Sequence, residues 1–198
     1  MNTGLTGGIA TGKSSVAAWL VQRGAVLVDA DGIAREVMLP GHPVLQQVSE
    51  RFGQEMLLAD GTLDRKRLGA HIFGQPEERK ALEQITHPAI RELIHRRIAE
   101  LEQADPQRLV VADIPLLYES KGAYTFSETI VVYVPREIQL QRLMQRDHLD
   151  EQQALQRIAA QMDIEDKKRL ANIVIDNSGT WEQTERQLER YWAGKGLS

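Results

Sequence analysis

The sequence predicts a three-layer α/β protein, in which a parallel sheet is flanked by helices on both faces. Short, continuously apolar runs alternate with helical patterns, and these runs are closed by aspartate or proline. Strands that are apolar at every position are buried on both sides, which is typical of parallel sheets covered by helices. Apolar residues make up 42% of the 198 residues, enough for such a core and too many for a disordered chain.

The first elements already show this alternation. Residues 2–6 are expected to form a short strand, and an amphipathic helix is expected over 13–22, with Gly24 as its stop. Residues 25–28 form an apolar run that ends at Asp29 and predicts a strand buried on both faces. The same pattern predicts the later strands over 109–112, 129–134 and 173–175.

One interval of about 80 residues, between the second and third predicted strands, contains no convincing strand. Helical patterns cover 76–84 and 88–103, and Pro88 is expected to end or kink the first of them because proline lacks a donor N–H. We interpret residues of about 38–105 as a helical insertion. Ligands of α/β folds bind beyond the carboxyl ends of the strands, so the insertion could cover a substrate.

A second helical region, from about 136 to 168, is dense in charges of both signs. Arg142 and Arg146 are four residues apart and therefore share one helix face. The plainer interpretation is a solvated helix face. The alternative is a mobile lid, over about 141–169, whose arginines meet an anionic ligand. The chain is then a single domain, with its core formed by segments 1–37, 106–140 and 170–198.

Composition excludes several classes of function. Lysine and arginine number 24 against 28 acidic residues, a net charge of −4 that argues against a dedicated nucleic-acid binder. The absence of cysteine rules out disulfides, thiolate zinc sites and cysteine nucleophiles, and fits a reducing cytoplasm. No signal-peptide pattern and no long apolar run is visible, so a cytoplasmic protein without a membrane partner is expected. Its oligomeric state is not predicted.

The most specific motif is Gly7-Gly8-Ile9-Ala10-Thr11-Gly12-Lys13-Ser14, which matches the phosphate-loop pattern G-x-x-x-x-G-K-[ST]. Its glycines let the backbone turn tightly and point N–H groups at phosphate oxygens, and the following helix adds its positive end. Lys13 can reach the β- and γ-phosphates, and the Ser14 hydroxyl can bind Mg²⁺. The sequence therefore predicts nucleoside triphosphate binding by the loop residues and Ser15.

Phosphate loops serve kinases, GTPases, motors and DNA-remodelling enzymes alike. The segment Asp29-Ala30-Asp31-Gly32 formally matches the D-x-x-G pattern of GTPases, but no Asn-Lys-x-Asp segment for guanine follows it. A helicase or recombinase would need a longer chain and a basic track. A small-molecule kinase that uses Mg-ATP is the function that the residues themselves favour.

Acidic residues follow two of the predicted strands. Asp29 and Asp31 would share a face in an extended segment, where either carboxylate could accept a proton from an attacking hydroxyl or hold Mg²⁺ through water. Asp31 could instead cap the next helix. Asp113 closes the third strand and is expected to be a Mg²⁺-linked carboxylate, or alternatively a turn residue before Pro115.

A set of motifs occurs in a fixed order from residue 5 to residue 179. These are Leu5-Thr6-Gly7-Gly8-Ile9, Gly12-Lys13-Ser14, Val28-Asp29-Ala30-Asp31 with Ile33-Ala34-Arg35, His87-Pro88, Asp113-Ile114-Pro115-Leu116-Leu117 with Glu119, Gln145-Arg146-Asp147, Arg157 with Gln161, and Asp176-Asn177-Ser178-Gly179. In this set the sequence resembles the dephospho-CoA kinase family. It departs from the family at Ala10 and Thr11, where glycine and serine are expected, and at Gly32, where an apolar residue is common.

The resemblance implies transfer of the γ-phosphoryl group of ATP to the ribose 3′-hydroxyl of dephospho-CoA, the last step of coenzyme A biosynthesis. It implies that Asp31 is the general base, that Lys13 and Mg²⁺ neutralise phosphate charge, and that Arg142 and Arg146 act from the lid. Arg35 would contact the substrate or steady the Asp31 carboxylate, unless it is simply a surface arginine.

The resemblance also implies the remaining contacts. Acceptor contacts are His87, Leu116 and Leu117; the adenine loop contains Asn177 and Gly179; the metal-linked groups are Ser14, Asp29 and Asp113. His87 could instead cap the break at Pro88, and Asn177-Ser178-Gly179 could be a plain turn. Two other functions stay open, a kinase of another nucleoside or small metabolite and a nucleotide-dependent regulatory switch.

Overall fold

The computed structural model describes residues 1–120, 122 and 124–197, and the chain divides into two compact units. The first unit joins Met1–Val28 to Glu100–Ser198, and the second is Asp29–Ala99.

A five-stranded sheet has the order β2-β3-β1-β4-β5. β1 runs parallel to both β3 and β4, and β4 runs parallel to β5, which confirms the predicted parallel sheet. The strands are β1 Asn2–Gly7, β2 Val26–Asp29, β3 Val110–Asp113, β4 Glu128–Tyr133 and β5 Ile173–Asp176.

Helices connect these strands. In chain order they are α1 Lys13–Gln22, α2 Ala30–Glu36, α3 Pro43–Phe52, α4 Arg65–Ile72, α5 Pro76–Ala104, α6 Arg136–Asp147, α7 Glu151–Ala159, α8 Ile164–Leu170 and α9 Trp181–Gly194, with a short 3-10 helix at Gln54–Met56. Two of them begin with a capping box, in which side chain and backbone bond reciprocally. Asp150 caps α7 with Gln153, and Thr180 caps α9 with Gln183.

The first unit has the predicted three layers. Alternate residues of each strand face opposite sides of the sheet. On one side, Ile130 and Val132 join a buried cluster with Leu20 of α1 and Leu188 of α9. On the other side, Val131 and Tyr133 pack with Ile164 of α8. The apolar runs of β3 and β4 are therefore buried on both faces, as the sequence predicts. The same expectation is wrong for β2, which lies at the edge of the sheet and leaves Leu27 37% exposed.

Of the two outcomes expected at Pro88, an end or a kink, the end of the helix is wrong. A single helix, α5, spans 29 residues and contains Pro88 in its interior. Proline cannot donate to the carbonyl four residues earlier, which costs about 3 kcal/mol in a helix interior, but the regular bonds of the flanking turns hold the helix together on both sides. Charged residues also recur along α5, and within the described part of the chain no helix is long and apolar enough to cross a membrane.

The interval between β2 and β3 contains no strand, as predicted; all of its residues are described, and their only ladder-type pairing is the isolated bridge between Leu57 and Leu63.

A partly buried carboxylate, that of Glu128, ties the last helix to the sheet. Glu128 accepts hydrogen bonds from the Tyr191 hydroxyl at 2.7 Å and the Thr3 hydroxyl at 3.0 Å, and the Lys195 ammonium lies 2.6 Å from its second oxygen. Burial raises the pKa of the Glu128 carboxyl, but the bonds from Lys195, Tyr191 and Thr3 outweigh burial and hold that pKa below its usual value.

This carboxylate predicts a pH-dependent contribution to stability. Because its folded-state pKa is lowered, the contribution is present above the unfolded pKa of about 4.3 and is lost as pH falls through the folded value. We expect Glu128→Gln to lower the free energy of unfolding by about 1–3 kcal/mol at pH 7, with a smaller difference near pH 3. Urea unfolding of both proteins at pH 7 and pH 3 measures this difference in free energy. If the difference is the same at both pH values, the lowered pKa assigned to Glu128 is contradicted.

The matched control is Glu189→Gln on α9. Glu189 is half exposed and lies 3.5 Å from Arg23 in a surface pair. Exposed pairs of this kind contribute little, so the control is expected to change stability by less than about 0.5 kcal/mol at both pH values.

Candidate active site

The phosphate-loop motif forms the turn between β1 and α1. The Thr11 backbone N–H and hydroxyl both donate to the Gly8 carbonyl, at 3.3 and 2.9 Å. Ala10 and Gly12 have left-handed backbone angles, with φ of 61° and 87°. Alternating backbone handedness makes successive N–H groups converge, and α1 begins at the next residue, Lys13. The loop therefore has the local geometry of an anion-binding nest at a helix N-terminus.

Side chains from distant parts of the sequence lie close to two glycines of the loop, where a Cβ atom would meet them. A Cβ on Gly12 would lie 2.2 Å from Nδ2 of Asn177, and Gly12 also has a positive φ. A Cβ on Gly8 would lie 2.3 Å from Nε2 of Gln139. Other side chains approach the loop backbone where these glycines have none, so the glycine positions of the motif are needed for packing as well as for phosphate approach.

Ala10, which departs from the family pattern, adopts the conformation that glycine would favour. A left-handed backbone costs an ordinary residue roughly 1–2 kcal/mol. Its side chain packs with Ile9 against a cluster of Leu143, Ala154 and Ile158, which offsets part of that cost. The loop conformation is thus kept in spite of the substitution.

Lys13 pairs with Asp113 at the end of β3. Asp113 lies opposite Leu5 in the parallel ladder, and so at the same edge of the sheet as the loop that follows β1. The Lys13 ammonium donates to Oδ1 of Asp113, and the two side chains are 16% and 12% exposed. Asp113 is therefore more than a turn residue, because its carboxylate pairs with the lysine of the phosphate loop.

The donor set fits a magnesium ion that is held chiefly by phosphate oxygens. Among the described residues no group of three acidic or histidine side chains could hold a metal alone. Mg²⁺ bound to a nucleotide keeps several waters and needs only one or two protein ligands. Ser14, in the first turn of α1, offers a hydroxyl, and Asp113 offers a carboxylate at the same edge of the sheet.

The last strand delivers Asn177 to the phosphate loop. Its side-chain amide donates to the Thr11 carbonyl at 2.8 Å, and its Oδ1 accepts from the Thr184 hydroxyl at 2.8 Å. The next residues do form a turn, since Asp176 accepts from the Ser178 backbone N–H at 2.8 Å. Gly179 is exposed beyond it. The segment is therefore a turn, but one whose Asn177 supports the phosphate loop.

The two predicted lid arginines have different surroundings. Arg142 donates to the Asn177 carbonyl at 2.9 Å. Arg146 and Arg157 both donate to Asp147, each with a bond of 2.8 Å. The hydrogen bond from Arg146 lowers the pKa of the Asp147 carboxyl below its usual value. The structure thus links Arg142 to the turn that follows β5, whereas Arg146 is held by a neighbouring carboxylate on its own helix.

In the second unit the aspartate pair differs from expectation in two ways. Helix α2 begins at Ala30, so Asp31 is helical and does not share an extended face with Asp29. The cap of α2 is Asp29, not Asp31, because the Asp29 carboxylate accepts from the Asp31 N–H at 3.0 Å. Arg35 lies 3.6 Å from Asp29 and steadies that carboxylate instead of Asp31. Within residues 29–99 no hydrogen bond or ion pair engages the exposed Asp31 carboxylate.

The three predicted acceptor contacts belong to different units of the chain. His87 is exposed on α5 in the second unit. In the first unit Leu116 is 44% exposed, whereas Leu117 is buried and lies against Gly4 of β1, close to where a Cβ on that glycine would stand.

Three residues for which the sequence predicted no contact with the phosphate loop lie against it, and of these only Gln161 belongs to the motif set given above. Gln139 donates to the Ile9 carbonyl and Gln161 accepts from the Ile9 N–H, both at 2.8 Å. Lys167 donates to the Gly7 carbonyl at 3.1 Å. One signal was available, because Lys167 is three residues after Ile164 and so lies on the apolar side of its helix.

Fold and site together define a phosphate-loop kinase, with a parallel sheet that brings the loop lysine to an acidic residue on the neighbouring strand. A family model described as dephospho-CoA kinase matches residues 1–183. The chain belongs to the dephospho-CoA kinase family.

Individual relatives agree with this membership. A dephospho-CoA kinase of Shouchella clausii strain KSM-K16 is 50% identical over 188 residues, which cover 95% of each chain. The structure of a dephospho-CoA kinase from Campylobacter jejuni matches with a TM-score of 0.68 and 30% identity, covering 98% of this chain and 96% of that one. The crystal structure of TT1252 from Thermus thermophilus matches with a TM-score of 0.80 and 34% identity, covering 98% and 97%.

Proposed function

We propose that the protein transfers the γ-phosphoryl group of ATP to the ribose 3′-hydroxyl of dephospho-CoA, giving coenzyme A and ADP. The observation that carries the proposal is the phosphate loop with its Lys13–Asp113 pair, in a chain of the dephospho-CoA kinase family. Phosphoryl transfer depends mainly on positioning and on neutralising charge, and this loop is built for both tasks.

On the donor side, the loop N–H groups and the start of α1 bind the β- and γ-phosphates. Lys13 moves from Asp113 to the phosphate oxygens, where its charge stabilises the transferring group. Ser14 and Asp113 would hold Mg²⁺, with Asp29 as a further candidate. The chemistry that Mg²⁺ would supply there is neutralisation of the negative charge on the phosphates. Asn177 holds the loop, and the exposed Gly179 contacts the adenine.

On the acceptor side, Asp31 is the general base that takes the proton from the 3′-hydroxyl. Its carboxylate is uncommitted within its unit, whereas the Asp29 carboxylate is bound by the α2 cap and by Arg35. Residues of about 38–105 form the acceptor insertion, in which His87 contacts the nucleotide. Leu116 supplies an exposed apolar contact, whereas its neighbour Leu117 is buried against β1.

Residues of about 141–169 form the lid. Arg142 and Arg146 bring planar guanidinium groups that suit phosphate oxygens, and lid closure excludes water as a competing acceptor. The whole chain acts as one domain built on segments 1–37, 106–140 and 170–198. We also propose a cytoplasmic location, because the reaction draws on ATP and the chain contains no cysteine.

The test is ADP release, measured in a coupled assay with a panel of acceptors. Dephospho-CoA is expected to give ADP, whereas coenzyme A is the matched control because its 3′-hydroxyl already carries phosphate. Adenosine and a no-acceptor reaction complete the panel. ADP release that is equally fast without acceptor contradicts the proposal and indicates a switch that hydrolyses ATP. A faster reaction with another acceptor indicates a kinase with a different substrate.

A further inference from the structure

Lys167 of α8 is a lysine with no exposed surface. Its ammonium donates to the Gly7 carbonyl at 3.1 Å, the Pro115 carbonyl at 3.0 Å and Oε1 of Glu119 at 2.9 Å. Three acceptors for three N–H groups satisfy the ammonium completely. Burying a charge costs several kcal/mol unless it is paired, so this full set of partners explains how the lysine is tolerated.

The two carbonyls belong to the segments that carry the site. Gly7 opens the phosphate loop at the end of β1, and Pro115 follows Asp113 by two residues at the end of β3. The Thr6 hydroxyl also donates to the Pro115 carbonyl, at 3.1 Å. Lys167 therefore joins the backbone that positions Lys13 to the backbone that positions Asp113.

Glu119 is fixed beside this contact. Its Oε1 also accepts from the Met162 N–H at 2.9 Å, and its buried Oε2 has no hydrogen-bond partner among the residues that the structure describes. Among the residues that the structure describes, the charged groups that act on the Lys167 ammonium are Glu119 and Lys13. Burial lowers the pKa of the Lys167 ammonium and Lys13 lowers it further, while the hydrogen bond and charge of Glu119 oppose both effects.

The contact is part of a larger attachment between the predicted lid segment and the loop. Gln161 accepts from the Ile9 N–H, and Gln139, just before the lid, donates to the Ile9 carbonyl. Together with Lys167 these side chains hold three backbone atoms of the loop. Loop geometry is thus set from outside the phosphate-loop motif.

We propose that Lys167 is a positioning residue for nucleotide binding, which holds the phosphate loop and the Asp113 segment in register so that Lys13 can bind the phosphates. Glu119 keeps the lysine charged and oriented. The part of this inference that concerns turnover rests on the proposed function, whereas the part that concerns nucleotide affinity does not depend on the acceptor.

The test is Lys167→Met, with Lys168→Met as the matched control that removes a charge from the same helix. Lys168 lies over the Tyr133 ring, 3.8 Å from its centroid, and touches none of the loop atoms. In Lys167→Met, calorimetry with Mg-ATP is expected to show a Kd raised about tenfold or more, with the KM of dephospho-CoA changed by less than about twofold. Lys168→Met is expected to leave both constants unchanged.

Glu119→Gln is the second variant and keeps the side-chain volume, so the inference remains testable if Lys167→Met does not fold. Without the carboxylate, the pKa of Lys167 falls further. Only the protonated lysine donates to all three acceptors. As the pH is raised, this variant is therefore expected to lose ATP affinity at a lower pH than the parent protein does.

A folded Lys167→Met protein that binds Mg-ATP with the parent Kd overturns the inference. So does an equal loss of affinity for both substrates, because that result indicates general destabilisation. A different result, in which the parent protein binds ATP but does not phosphorylate dephospho-CoA, overturns the proposed function and leaves the affinity comparison valid.

Discussion

Asp31→Asn is expected to lower kcat by about 10²–10⁴-fold, the usual contribution of a general base. Asparagine keeps the size of the side chain but cannot accept the proton of the attacking hydroxyl. The Kd of Mg-ATP is expected to stay within about twofold, because phosphate binding is assigned to the loop and Lys13. Steady-state kinetics and calorimetry on the same preparation measure both quantities.

The matched control is Asp29→Asn, which tests the other member of the pair. Asparagine caps helices about as well as aspartate, so α2 is expected to keep its start. The control loses the ion pair with Arg35, which is an exposed contact of small energy. If kcat falls more in Asp29→Asn than in Asp31→Asn, the base has been assigned to the wrong residue.

Lys13→Met is expected to reduce kcat/KM for ATP by about 10³-fold or more. The ammonium is the positive side chain that the loop itself supplies, and phosphoryl transfer relies on such charges in the transition state. The Kd of Mg-ATP is expected to rise and the single-turnover rate to fall, because the lysine contacts the phosphates before and during transfer.

Asp113→Asn separates the two halves of the Lys13 contact. It removes the carboxylate that pairs with the lysine but keeps the lysine itself. The affinity for ATP without Mg²⁺ is therefore expected to persist, while the increase in ATP affinity on adding Mg²⁺ becomes smaller.

Wild-type ATP affinity together with near-normal turnover in Lys13→Met contradicts the assigned role of the loop lysine.

Features dictated by local chemistry were predictable from the sequence. The parallel sheet follows from strands such as 130–132, which are apolar at every position, and the phosphate loop follows from glycines and a lysine at fixed spacing. The position of Asp113 at the edge of the sheet near the loop also follows, because parallel strands bring their carboxyl ends to one edge. Its pairing with Lys13 was not predicted, because it depends on β3 lying next to β1.

Long-range side-chain contacts were not predictable in the same way. Gln161 and Lys167 reach backbone atoms of the phosphate loop that are 152 and 160 residues away in the sequence. The charge pattern of the segment does not by itself indicate which of its lysines is buried. Helical period alone puts Lys167 near Ile164, but it does not reveal the three acceptors.

Helix boundaries account for the other differences. A start two residues earlier than expected puts Asp31 inside α2 and makes Asp29 the cap. Pro88 carries a strong local preference for a break, yet the hydrogen bonds of a 29-residue helix outweigh one missing donor.

The central claim is the identity of the phosphoryl acceptor, and mass spectrometry tests it most directly. Dephospho-CoA is incubated with Mg-ATP and the protein, with Asp31→Asn as the control, and fragmentation locates the added group. The account predicts a product heavier by one phosphoryl group at the ribose 3′-oxygen, strongly reduced in the control. Unchanged dephospho-CoA in a preparation that binds ATP would contradict it.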